Sequence, residues 1–199
     1  MDKARAANMP NDSILRSIKR GAGELGTESL EDITYEGYGP GGVAIMVSAL
    51  TDNRNRSASD VRYVFSKNGG NLGETGCVAW MFQKKGLLVL NLEEINMGED
   101  EVVDLAIESG AEDYESDGSD LEIYTEPEDF EEVKKFFEAK GVSFTNSEVT
   151  MLPQNMVKVT GKAAQQVINL VESLEDLDDV QQVYANFDIP DEELEAVAR

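Results

Sequence analysis

Apolar and polar positions recur along this chain in rhythms that change several times, and each change marks an element. From Ser13 to Arg20 the spacing is helical: Ile14, Leu15 and Ile18 share one face, while Arg16, Lys19 and Arg20 share the opposite one. Met9-Pro10-Asn11-Asp12 is its entry signal, and Gly21 and Gly23 end it. Asp2–Asn8 reads as the last turns of an earlier helix, and two short helices cannot bury a core alone, so residues 1–26 read as the last part of a helical domain.

Beyond the polar link Glu24–Glu31 the period becomes that of a strand. Ile33–Glu36 leads into the turn Gly37-Tyr38-Gly39-Pro40-Gly41-Gly42 and the apolar run Val43–Leu50. Helical spacing returns over Ser57–Asn68, with Ser57 and Asp60 placed as a capping box, Val61, Val64 and Phe65 inward, and Gly69-Gly70 as the stop. Val78–Gln83 reads as another strand. From Gly86 the order is strand (87–92), helix (99–109), strand (112–116), strand (121–125), helix opened by Thr125-Glu126-Pro127-Glu128, and strand (142–151).

A second set of pieces has the same order: strand 43–50, helix 57–68, strand 78–83, strand 156–159, helix 161–174 and strand 180–187. The simplest organisation is an α+β protein in which the remnant N-terminal helical domain is followed by two ferredoxin-like α/β domains, one inserted in the other. The outer domain takes residues 27–85 and 153–199, and the inserted one 86–152.

Charge changes this picture. The 199 residues carry a net charge of −23, spread unevenly. Residues 1–86 hold eleven basic and ten acidic side chains, while residues 87–199 hold six and thirty. Such asymmetry predicts one half that faces nucleic acid and one that is solvated or repelled; an acidic half that merely keeps the protein soluble fits the same numbers. No apolar run reaches membrane-spanning length and no export signal opens the sequence, so a cytoplasmic location without membrane contact is expected. With one cysteine, Cys77, and no histidine, neither a zinc-type ligand set nor a Cys-His dyad can be assembled. The carboxylate pairs lie in charge runs, which predicts no enzyme and no cofactor.

Three features suit a polyanion. The glycine turn lacks the lysine and Ser/Thr of a P-loop, so it is either a tight structural turn or a contact for phosphates and bases. Arg54 and Arg56, running into a helix N-terminus, form an anion site unless they pair with Asp52, Asp60 or the acidic half. Arg62 and Lys67 lie farther along that helix. With Arg16, Lys19 and Arg20 these cations extend one positive track, beside which Tyr35 and Tyr38 either stack on bases or pack on the sheet.

The strings MPNDSILRSIKRG, YEGYGPGG, DNRNRS, FSKNGGNLG and DLDDVQQVYANFDIP together resemble the YebC/PmpR family along essentially the whole chain. The resemblance implies a helical domain followed by two α/β domains, one inserted in the other. It also implies a DNA-binding transcriptional regulator, with a ribosome-associated translation factor that binds ribosomal RNA as the alternative. Family members begin with a basic segment carrying a GHSKW-like motif and two further helices, for which this sequence has no counterpart.

Overall fold

The computed structural model describes residues 17–18, 30–95, 97–116 and 118–190. Apart from Ser17 and Ile18, the helix expected over 13–20 lies outside the described residues, as do its cations Arg16, Lys19 and Arg20. The described chain divides into two compact units. One runs through Ala79 and resumes at Met156; the other is Trp80–Asn155.

In the first unit, β1 (Glu31–Tyr38) and β2 (Ala44–Thr51) form an antiparallel hairpin around a 3-10 turn at Pro40–Gly42. Then come α1 (Arg54–Lys67) and the short β3 (Asn71–Leu72). The second unit opens with β4 (Phe82–Asn91), followed by α2 (Glu99–Ser109), β5 (Asp113–Ser116), β6 (Asp120–Thr125), α3 (Phe130–Ala139) and β7 (Asn146–Pro153). The chain returns to the first unit with β8 (Val157–Lys158), α4 (Gly161–Glu175), β9 (Val180–Ala185) and β10 (Phe187–Asp188).

The second unit is a four-stranded antiparallel sheet in the order β5-β6-β4-β7. That is the strand order of the ferredoxin-like motif, as its strand-helix-strand-strand-helix-strand sequence predicts. Leu88 and Leu90 of β4, Leu121 and Ile123 of β6, and Val102, Val133 and Phe137 from the helices form its core. Lys85 is buried on β4, where the carboxylates of Glu112 and Glu126 hold its ammonium and raise its pKa.

The first unit is also an antiparallel sheet with two helices, but its strands differ from those expected. Its order is β3-β1-β2-β9. The hairpin partner β1 takes the place that the sequence pattern assigns to Met156–Val159, and that segment supplies only the two residues of β8, paired in parallel with β10. The alternation along β2 explains the layer: Ile45 and Val47 join Val61, Phe65, Val167 and Leu170 from α1 and α4 in one core.

Val78–Gln83 is not a strand of this unit. Its first half is a turn with a 3-10 segment at Ala79–Met81, and its end, from Phe82, already belongs to β4. The cause is Glu36, buried on β1, whose carboxylate accepts from the backbone N–H groups of Gly76 (2.7 Å), Val78 (2.8 Å) and Ala79 (2.8 Å). Donors engaged by a side chain cannot join a strand ladder.

Candidate nucleic-acid interface

Helix α1 begins three residues before the expected capping box. Asn53 is the N-cap, its side chain accepting from the Arg56 N–H at 3.1 Å. Ser57 therefore falls inside the first turns and is buried. This start turns Arg56 toward the loop after α4. One guanidinium nitrogen, Nη2, lies 2.8 Å from Asp52 and 3.0 Å from both carboxylate oxygens of Asp179. Hydrogen bonds to Asp179 and Asp52 raise its pKa further above an already high value. Thr51 fixes the partner by donating its hydroxyl to Asp179 at 2.9 Å. Arg54, mostly exposed, lies 3.5 Å from Glu31. Both loop arginines thus face carboxylates.

The two tyrosines of the opening hairpin are likewise engaged. Tyr35 is half-buried against the core and makes a long hydrogen bond, 3.5 Å, to the Arg54 carbonyl. Tyr38 donates to the Cys77 carbonyl at 3.0 Å. Neither presents a free ring in the manner of Tyr63, which is 65% exposed on α1.

Around Tyr63 the exposed face of the helix carries one acid, Asp60, three positions back. Asn55, Ser59, Arg62, Tyr63, Ser66 and Lys67 follow one another at helical spacing, and all are exposed. Arg62 and Lys67 make no ion pair among the described residues. The face ends at the turn Asn68–Gly70, which meets two other segments. A Cβ on Gly69 would lie 3.2 Å from Gln166 of α4 and 3.7 Å from Pro40, and one on Gly41 would lie 2.9 Å from Val159. The glycine turn, the end of α1 and the start of α4 therefore share one end of the unit.

The glycines there divide by role. A Cβ on Gly37 would meet the Asn71 carbonyl at 2.6 Å and the Phe65 ring at 2.8 Å, so Gly37 is required by packing. Gly41 and Gly42 adopt φ of 75° and 81°, and Gly42 has open space beside it. At the same end α4 starts at Gly161 without a side-chain cap, and Lys158 and Lys162 are exposed and free of ion pairs among the described residues. Asp188 is the one carboxylate in register with Lys158.

The structure thus brings the Lys67 end of α1 to the glycine turn, leaves Arg62 midway along the helix and sets Arg56 at its opposite end. Lys158, Lys162 and Tyr63 were not singled out from sequence. For Tyr63 the signal existed, because the period that turns Val61, Val64 and Phe65 inward turns it outward. For the two lysines it did not, since about ninety residues of chain separate them from α1.

The family model for the second and third domain of TACO1/YebC matches residues 30–187. A "Probable transcriptional regulatory protein" of Natranaerobius thermophilus is 55% identical over 98% of this chain and 78% of its own length. One of the same name from Halothermothrix orenii is 52% identical over 99% and 78%. The crystal structure of a conserved hypothetical protein from Aquifex aeolicus superposes with a TM-score of 0.84 at 49% identity, covering 96% of this chain and 78% of the other.

Proposed function

We propose, from the premise that this chain belongs to the TACO1/YebC family, that it is a nucleic-acid-binding transcriptional regulator rather than an enzyme. The observation that carries the reading is the cationic end of the first unit. In a chain of net charge −23, Arg62 and Lys67 on α1 and Lys158 and Lys162 at the start of α4 remain without ion-pair partners among the described residues, and Gly41 and Gly42 of the glycine turn are exposed. Unpaired cations beside an exposed turn suit phosphate contacts. Arg54 and Arg56 contribute less, because a phosphate would have to displace carboxylates already in place. Tyr35 and Tyr38 shape the hairpin beneath. Among the described residues no helix is long and apolar enough to cross a membrane.

The test is a salt titration of binding to promoter duplex, with the protein in its full length. Lys67→Ala combined with Lys162→Ala is expected to lower affinity about tenfold at physiological salt and to reduce the salt slope by about two. Arg56→Gln is expected to leave both nearly unchanged. An unaltered slope in the double variant removes the cationic end from the interface. The exposed Tyr63 favours a second reading, in which unpaired bases of ribosomal RNA are the ligand. Preference for ribosomal RNA over duplex DNA in direct competition moves the function to translation.

A further inference from the structure

The opposite end of the first unit holds an acidic cleft of about 530 Å³, and its lining includes Arg56, Ser57, Asp60, Asp176, Asp178 and Asp179. Four carboxylates and one guanidinium line it. Arg56 engages Asp179, whereas Asp60, Asp176 and Asp178 have no ion-pair partner among the described residues. A nucleic acid would be repelled from such a surface.

Two independent observations point to a ligand. Ser57 is 2% exposed, and its hydroxyl is a buried side-chain oxygen without a hydrogen-bond partner. A buried hydroxyl left unmet destabilises the fold, so a partner that reaches it is favoured. The second observation is the placement of the acids. Glu172, Glu175, Asp176, Asp178 and Asp179 gather at and beyond the C-terminal end of α4, with no basic residue in its last turn. The helix dipole is negative at that end and favours cations. A local rule broken repeatedly in one place marks a functional surface.

The chemistry of the cleft defines its occupant. No three carboxylates converge as metal ligands do among the described residues. The acids instead line an open cleft, which suits several separated cationic groups. Arg56 supplies the template: one guanidinium nitrogen bonds both oxygens of Asp179, itself oriented by Thr51. We propose that this cleft docks an extended segment of a partner protein whose arginine or lysine side chains meet Asp60, Asp176 and Asp178 and satisfy Ser57. The chain then joins two surfaces of opposite sign, one for nucleic acid and one for a basic protein.

The experiment measures fluorescence anisotropy of a labelled Arg/Lys/Ser peptide with the full chain at about 150 mM salt, where distant charges are screened. Saturable single-site binding is expected. Asp60→Asn with Asp178→Asn should weaken it about tenfold, while Glu131→Gln with Glu132→Gln on α3, an equal change of net charge, should weaken it less than about twofold. Equal loss in both pairs, or no binding, overturns the proposal. Ser57→Ala should weaken binding about fivefold without lowering the melting temperature; unchanged affinity removes the hydroxyl from the site. Spermidine at matched charge should compete poorly, and equally tight binding of spermidine in the cleft would replace the protein segment by a small polyamine. Lys67→Ala with Lys162→Ala should leave peptide affinity unchanged, which separates this site from the nucleic-acid surface.

Discussion

Glu36 ties two distant segments of the first unit together. Its carboxylate is buried on β1 and gathers three backbone donors from the segment Gly76–Ala79, forty and more positions away. Burial pushes its pKa up, but the N–H groups of Gly76, Val78 and Ala79 outweigh it, and the net value lies below the ordinary one. A carboxyl depressed in the fold stabilises it above its unfolded pKa, and that stability is lost as pH falls through the folded value. The first unit should therefore weaken as pH drops below about 4.3, the unfolded glutamate value. Glu36→Gln keeps the shape but replaces a charged acceptor pair with one neutral carbonyl and an NH₂ group that cannot accept. It should cost about 2–3 kcal/mol at neutral pH and flatten the acid limb of the stability curve. Urea melts of both proteins across pH 3 to 7 decide it, an unchanged acid limb in the variant being the adverse outcome. Nothing in the local pattern announces this residue. An alternating strand reads Glu36 as an outward position, and the partners that bury it arrive later in the chain. The same holds for Arg56 and Asp179, which are 123 positions apart.

At the scale of elements, the sequence was most legible where period and length agreed. Helices α1, α2 and α4 and strands β2, β5 and β6 lie where periodicity predicts them, because one amphipathic face decides each. It was least legible at ends and at very short strands. The start of α1 shows why. Ser57 and Asp60 have capping-box spacing, yet Asn53, a better cap residue, stands upstream and takes the Arg56 N–H. Helix α4 starts differently, since Thr160 makes no side-chain bond to its first turn. Two substitutions of the same kind should thus have unequal effects. Asn53→Ala should cost about 1 kcal/mol, and Thr160→Ala should stay within about 0.5 kcal/mol. Thermal melts of the two variants compare them directly, and equal losses would show that α1 is held by tertiary packing alone. The site follows the same logic. The helical cations Arg62 and Lys67 could be placed from sequence, whereas Lys158 and Lys162 join the same unit only through the packing of α1 beside α4.

For the whole molecule, the insertion poses the question of independence. The second unit has a closed set of strands, a complete core and a ferredoxin-like order that needs nothing from outside Trp80–Asn155. Its two ends are adjacent: the Gln154 N–H donates to the Met81 carbonyl at 2.8 Å, and Phe82 pairs with Pro153. The chain therefore leaves and returns at one point, so closing the first unit with a short linker costs little loop entropy. The charge of the second unit works against it, however. With five basic and twenty acidic residues it carries −15, and compaction brings those charges together. The fragment 80–155 should fold alone with a single cooperative melt, and its melting temperature should rise as sodium chloride is raised from about 0.01 to 1 M, where the screening length falls from about 30 to 3 Å. The remainder, with residues 80–155 replaced by a Gly-Ser linker, should keep its own transition, because Glu36 still anchors the exit segment through Ala79. Circular dichroism melts of the two pieces test this. A fragment without a cooperative transition at any salt would mean that its core is completed by the rest of the chain, and the insertion would then be a single folding unit with its host.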